Sequence, residues 1–297
     1  MSAIPDITLN DGTWFPELGL GTYNLRGEEG VDAIVAAIGS GYRLLDTAVN
    51  YENEREVGEA VRRSGVDRDS LLVASKIPGR HHGRQEAVDS VRGSLGLLGL
   101  DRIDLHLIHW PNPSVGKYVE TWRGLIDAQQ EGLVRSIGVS NFTERMIDEL
   151  IEETGVVPAV NQVELHPYFV QPALQRADAA HGIITQAWSP IGGITFYPGP
   201  WGDERRNVMQ DPLLADIAAA HGKTPAQVML GWHLQQGRSA IPKSTNPARI
   251  AENFDVFDLE LSAAELEAID GLDTGVRSGP DPDVPRDAFF DVVIDEA

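Results

Sequence analysis

From Leu18 onward, short runs of Val, Ile and Leu alternate with longer stretches whose apolar residues recur at helical spacing, the pattern of repeated βα units. The apolar runs predict eight strands, at Leu18–Leu20, Arg43–Asp46, Leu71–Lys76, Ile103–Ile108, Ser136–Val139, Ala159–Val163, Ile183–Trp188 and Ser239–Ile241. Helices are predicted over Val31–Ile38, Arg84–Leu98, Val119–Gln130, Glu144–Glu152, Gln171–His181, Pro225–Gln235 and Ala263–Ile269. Eight such units suit a closed parallel (β/α)8 TIM barrel, with a doubly wound open sheet as the alternative. Ahead of them, Ile7–Leu9 and Thr13–Phe15 flank Asn10-Asp11-Gly12, a β-hairpin that could plug one end of the barrel. The interval from Trp188 to Ser239 exceeds one unit. Its Gly-, Pro- and aromatic-rich part, Gly192–Gly202, predicts a long loop over the active face. The expected organisation is a single domain: hairpin 1–16, barrel 17–273 and C-terminal tail 274–297. The tail holds Phe289 and Phe290 among aspartates, with Arg277 and Arg286, and is expected to be frayed or packed as a lid.

Composition narrows the class. A chain of 297 residues, 42% hydrophobic, can bury one barrel-sized core or two ordinary ones. No run approaches the roughly 18 apolar residues of a membrane span, and Met1–Asn10 lacks the features of a leader, so a cytoplasmic location is expected. The absence of cysteine excludes disulfides, thiolate metal sites and cysteine nucleophiles. A net charge of −21 argues against nucleic-acid and anionic-membrane partners and disfavours casual self-association, so a monomer is expected. Against that background the chain has only four lysines: Lys76, Lys117, Lys223 and Lys243.

Two of them carry the chemical argument. Asp46, Lys76 and His109 fall at or just after the ends of consecutive predicted strands, at spacings of 30 and 33 residues, each about one βα unit. In a barrel these strand ends meet on one face, together with Tyr51 from the loop after Asp46. An Asp and a Lys ending apolar strands are costly to bury unless paired. Lys76, held by Asp46, is expected to lower the Tyr51 pKa and make its hydroxyl a useful general acid, while His109 orients a substrate carbonyl. Taken singly, each residue also fits a structural ion pair or a core histidine.

The second lysine marks an anion site. No Gly-x-Gly-x-x-Gly fingerprint follows a predicted strand, but Lys243-Ser244-Thr245-Asn246-Pro247 lies after the last strand and starts a helix with a capping side chain. Lys243 and Arg249 add positive charge there, which favours the 2′-phosphate of NADPH over the bare ribose of NADH.

These residues sit in stretches that resemble the aldo-keto reductases: Gly41-Tyr42-Arg43-Leu44-Leu45-Asp46-Thr47-Ala48, Tyr51 with Asn53-Glu54, Ser75-Lys76, and His106-Leu107-Ile108-His109-Trp110-Pro111. Further matches are Gly138-Val139-Ser140-Asn141-Phe142, Asn161-Gln162-Val163-Glu164-Leu165-His166-Pro167 and Ile241-Pro242-Lys243-Ser244, so the resemblance runs from about Leu18 to Asp273. It looks most similar to the bacterial branch containing 2,5-diketo-gluconate reductases. The resemblance implies a catalytic tetrad of Asp46, Tyr51, Lys76 and His109. It also implies nicotinamide contacts from Ser140, Asn141 and Gln162, a Trp188 indole stacked on the nicotinamide with Ser189 as a further cofactor contact, phosphate contacts from Lys243, Ser244 and Arg249, and adenine contacts from Glu252 and Asn253. The implied reaction is metal-free hydride transfer from NADPH to a small aldehyde, ketone or keto sugar. Tyr23, Asn50 and Trp110 are expected to line the pocket. Many relatives carry Leu-Trp-Asn after the lysine, whereas this chain reads Ile77-Pro78-Gly79-Arg80-His81-His82-Gly83-Arg84, so an aromatic wall is missing. The Arg80–Arg84 cluster is expected to be a solvated loop, or else to attract an anionic substrate such as a keto acid. Two rivals remain: a nicotinamide-binding sensor with little turnover, and a metal-dependent barrel hydrolase, which Lys76 disfavours by repelling a cation.

Overall fold

The computed structural model describes residues 6–192 and 207–284. A two-stranded antiparallel ribbon, β1 (Asp6–Thr8) and β2 (Trp14–Pro16), precedes the barrel. Eight parallel strands follow: β3 (Leu20–Gly21), β4 (Leu44–Asp46), β5 (Leu72–Ile77), β6 (Ile103–Ile108), β7 (Val134–Ser140), β8 (Val160–Glu164), β9 (Ile184–Trp188) and β10 (Ser239–Ala240). They pair in chain order. A parallel bridge between Leu18 and Ala240 joins the last strand to the first and closes the barrel. The expected (β/α)8 architecture is therefore the one observed, with the first strand shifted toward Gly21.

Ten α-helices occur among the described residues: α1 (Gly27–Ser40), α2 (Glu54–Arg63), α3 (Arg84–Leu98), α4 (Tyr118–Gln130), α5 (Glu144–Thr154), α6 (Pro172–Ala180), α7 (Pro212–His221), α8 (Pro225–Gln235), α9 (Pro247–Phe254) and α10 (Ala263–Asp270). Local chemistry starts several of them. Thr224 and Gln227 form a capping box on α8, as Ser262 and Glu265 do on α10, and Asn246 caps α9 ahead of Pro247. Helices α2 and α7 lie where the sequence pattern predicted none. Most of the Gly192–Gly202 stretch, together with Arg286, Phe289 and Phe290, falls outside the described residues.

Strand alternation sorts the core. Leu44, Leu72, Ala74, Leu105, Leu107, Val160 and Ile241 pack with Leu9 and Phe15 of the hairpin segment, which thus plugs the barrel interior as expected. The alternate residues Leu45, Val73, Ile77, Ile108, Ile137 and Val139 pack against the helices. The hairpin turn is tied down by Asn10, which donates to the Pro158 carbonyl at 2.9 Å, and by Ser136, which bonds Thr13 at 3.0 Å. Among the described residues no helix is long and apolar enough to cross a membrane.

Candidate active site

Asp46 ends β4, Lys76 lies near the end of β5 and His109 follows β6, so the ladder carries all three to one rim. Tyr51 closes a single 3-10 turn, Val49–Tyr51. Asn53 fixes that turn by donating to the Thr22 and Leu25 carbonyls at 2.7 and 3.0 Å and accepting from Thr47 Oγ1 at 2.7 Å. The Lys76 ammonium, fully buried, spends its three protons on Asp46 Oδ1 (2.5 Å), the Thr47 carbonyl (2.9 Å) and Tyr51 Oη (3.4 Å). The second Asp46 oxygen accepts from Gln162 Nε2 at 2.8 Å. The expected tetrad is thus assembled around a buried, fully bonded ion pair, the condition under which such a pair is tolerated.

The electrostatics differ from expectation at Tyr51. Its pKa lies well above the ordinary tyrosine range, because burial opposes the phenolate and the Asp46 carboxylate and Tyr23 add to that opposition. Asp46 sits closer to the ammonium than Tyr51 does and takes up most of its field. Lys76 is itself lowered by burial, opposed by Asp46. Tyr51 therefore keeps its proton at neutral pH. His109 is pushed well below the ordinary histidine range by burial and then by Lys76, so its ring is neutral. Its Nδ1 is buried with no hydrogen-bond partner among the described residues. Its ring meets Tyr51 edge-on at 5.8 Å between centroids.

The expected pocket residues flank this cluster unevenly. Tyr23 packs edge-on against Tyr51 at 5.2 Å, and Asn50, buried beside Tyr51, accepts from the Arg80 guanidinium. Trp110, next to His109, is partly buried. The Arg80–Arg84 segment is only in part the solvated loop expected from sequence. Arg80 and Arg84 are exposed, but His82 is buried and its pKa pushed down to about 4 by that burial. Arg84 bonds Asp127 on α4 and is thereby turned to the helix layer.

The residues expected to meet a nicotinamide occupy the next three strand ends. Ser140 Oγ donates to the Gln162 carbonyl at 2.8 Å, and Asn141 Nδ2 donates to the His109 carbonyl and to Ser140 Oγ, each at 3.0 Å. Asn141 Oδ1 accepts from Trp188 Nε1 at 2.9 Å, which holds the indole edge. Gln162 Nε2 also donates to Gln186 Oε1 at 2.7 Å. Asn141 and Ser189 both take left-handed backbone conformations, φ 63° and 49°, a strain of the kind that gathers at ligand sites. At the far edge, Asn246 accepts from the Ala248 and Arg249 amides. Lys243 and Arg249 are exposed, and neither has a carboxylate partner among the described residues. Two open cations beside Ser244 in a strongly acidic protein match a phosphate-bearing ligand in charge. Glu252 is tied to Thr224 Oγ1 at 3.0 Å, and Asn253 is buried on the same helix. The donor set therefore fits a dinucleotide laid from Trp188 to α9. Among the described residues no three His, Asp or Glu converge as metal ligands.

Sequence reasoning missed the partners that hold this set: Thr47, Asn53, Gln186 and Glu164. Glu164 is fully buried at the end of β8, and a glutamate ending an apolar strand was the one signal that could have drawn attention to it.

Fold and rim together define a (β/α)8-barrel enzyme with its chemistry at the C-terminal strand ends. Comparison narrows this further: the model of the aldo/keto reductase family matches residues 17–274, and the chain belongs to that family. It is 62% identical to 2,5-diketo-D-gluconic acid reductase B of Corynebacterium sp. (strain SHS752001), over 95% of this chain and 98% of that protein. It is 49% identical to morphine 6-dehydrogenase of Pseudomonas putida, over 97% and 98%. Among solved structures, a Bombyx mori aldo-keto reductase in complex with NADP superposes with a TM-score of 0.85 at 37% identity, covering 93% of this chain and 95% of that one.

Proposed function

We propose that the protein is an NADPH-dependent reductase of small aldehydes, ketones or keto sugars, with Tyr51 as proton donor. The observation that carries the reading is the Tyr51 hydroxyl at 3.4 Å from a buried ammonium that Asp46 and Thr47 hold in place. When bound, NADPH supplies the hydride that reduces the carbonyl carbon. The protein does the rest. Neutral His109 hydrogen-bonds the carbonyl oxygen and aligns it with Tyr51. Tyr51 gives its proton to that oxygen, and Lys76 stabilises the tyrosinate left behind. Ser140, Asn141, Gln162 and Ser189 line the nicotinamide end. Trp188 offers the stacking surface, Lys243, Ser244 and Arg249 take the 2′-phosphate, and Glu252 and Asn253 face the adenine. The NADP complex of the Bombyx mori neighbour supports the cofactor.

Arg80 refines the substrate class. Its guanidinium is held by Asn50, next to the proton donor, where relatives place an aromatic wall. A cation at that mouth favours a carbonyl compound that also carries a carboxylate. The relative named for 2,5-diketo-D-gluconic acid supports a keto sugar acid. The test is tryptophan fluorescence on adding NADPH or NADH, followed by NADPH oxidation with a panel of neutral aldehydes, diketones and keto sugar acids. NADPH binding with turnover, highest on the acids, is expected. Binding without turnover would replace the reductase with a nicotinamide sensor.

A further inference from the structure

After α10 the chain runs back over the rim. Thr274 bonds the Tyr168 carbonyl through both its amide (3.0 Å) and its hydroxyl (2.8 Å), and Arg277 stacks on Phe169 at 4.8 Å and donates to Gln171 at 3.1 Å. The next two residues are held by Glu164: the Ser278 amide donates to Oε1 at 2.8 Å and the Gly279 amide to Oε2 at 2.9 Å. Farther on, Asp283 pairs with Arg145 on α5 at 3.4 Å. The segment from Asp273 to Asp283 thus crosses from the end of β8 to the helix after β7.

Its crossing point lies against Trp188. A Cβ on Gly279 would stand 2.5 Å from Trp188 Cη2 and 2.9 Å from Glu164 Oε2, so only glycine allows the backbone this close. The indole is therefore held at both ends, its N–H on Asn141 and its six-membered ring against Gly279. Glu164 remains a carboxylate here. Burial pushes it up, but His166 and the two tail amides outweigh that and hold it below the ordinary range. A buried carboxylate with two backbone N–H donors is a strong fastener.

We infer that Glu164 is a positioning residue that clamps Ser278–Gly279 onto Trp188, so that the docked tail completes the nicotinamide site and bound cofactor and docked tail stabilise each other. This rests on the cofactor placement proposed above. The coupling is reciprocal by thermodynamic necessity: the factor by which the docked state binds the cofactor more tightly than the undocked state is the factor by which the cofactor tightens the tail.

The experiment uses the full chain and has two readouts. Hydrogen exchange of the Ser278 and Gly279 amides should be slow in the wild type, slower still with NADPH, and on the order of 10-fold faster in Glu164→Gln, whose amide turns a donor toward one of them. NADPH affinity, read from tryptophan fluorescence, should fall about 10-fold in Glu164→Gln and in Gly279→Ala, and the double variant should lose little more, because both changes break one contact. Gly279→Ala leaves the barrel core untouched and carries the test alone if Glu164→Gln does not fold. Unchanged NADPH affinity in Gly279→Ala, or additive losses in the double variant, would overturn the clamp while leaving the reductase intact. Failure of the wild type to bind NADPH would overturn both.

Discussion

The two ends of the barrel are built on opposite principles. At the hairpin end, Leu9 and Phe15 fill the interior with apolar contact against Leu44, Leu72, Leu105 and Leu107. At the other rim the strands carry Asp46, Lys76, Ser140, Gln162 and Glu164 at or near their ends, all buried and all bonded to one another or to loops. One end stores stability in packing. The other accepts the cost of burying charge, keeps backbone strain at Asn141 and Ser189, and leaves His109 Nδ1 without a partner among the described residues. Changes at the two ends should therefore separate activity from stability.

The largest effect belongs to the rim. With Tyr51 as the proposed proton donor, Tyr51→Phe should lower carbonyl reduction by about 10²–10⁴-fold while NADPH affinity and the melting temperature stay near wild type. Steady-state rates beside a fluorescence titration check this, and a variant with full turnover would remove Tyr51 from its role. The floor should respond the other way. Phe15→Ala empties a fully buried site and should cost about 3–5 kcal/mol of unfolding free energy, with kcat per folded molecule unchanged. Denaturant unfolding measures it, and a large loss of kcat without loss of stability would show that the hairpin reaches the chemistry.

The same contrast decides how much was legible in the sequence. Packing follows local periodicity, so Arg84–Leu98 and Pro225–Gln235 were read to the residue and all eight barrel strands to within two residues at each end. Helix α2 escaped because its sequence, Glu-Arg-Glu-Val-Gly-Glu-Ala-Val-Arg-Arg, offers a narrow apolar stripe, and α7 because the loop before it dominated the reading despite Asp211, Pro212 and Gly222 at its ends. At the site, the tetrad was legible because strand ends of a parallel barrel converge by rule. Three things were not. The sign of the Tyr51 shift depends first on the burial of its hydroxyl and then on the Asp46 carboxylate beside it. The burial of His82 is set by tertiary packing rather than by its polar neighbours in sequence. The Glu164 clamp joins residues 114 positions apart, which no local pattern encodes.

A smaller effect is expected at the outer edge of the rim, where the cations are exposed. On the cofactor placement proposed above, Arg249→Ala should weaken NADPH by about 10-fold and leave NADH nearly unchanged, since the lost charge-assisted contact would be to a group only NADPH carries. Equal weakening of both cofactors would move Arg249 away from the 2′-phosphate and return it to the solvated face of α9.

The smallest effect is an absence of one, and it tests the rim's burial directly. An ordinary histidine beside the reacting oxygen would titrate near about 6.5 and print an acid limb on the rate profile. His109 lies well below that value because burial and the neighbouring ammonium disfavour its charged form. It becomes charged only as the pH falls through this lowered pKa, so it stays neutral across the ordinary range. Tyr51 is shifted the other way, and its proton is lost only as the pH rises through a pKa above the ordinary tyrosine value. The kcat for a carbonyl substrate with no ionising group should therefore show no acid limb at the ordinary histidine value, with a decline only on the alkaline side, where the Tyr51 proton is lost. A limb near 6.5 would mean that water reaches His109 and that the rim is less dry than its packing implies.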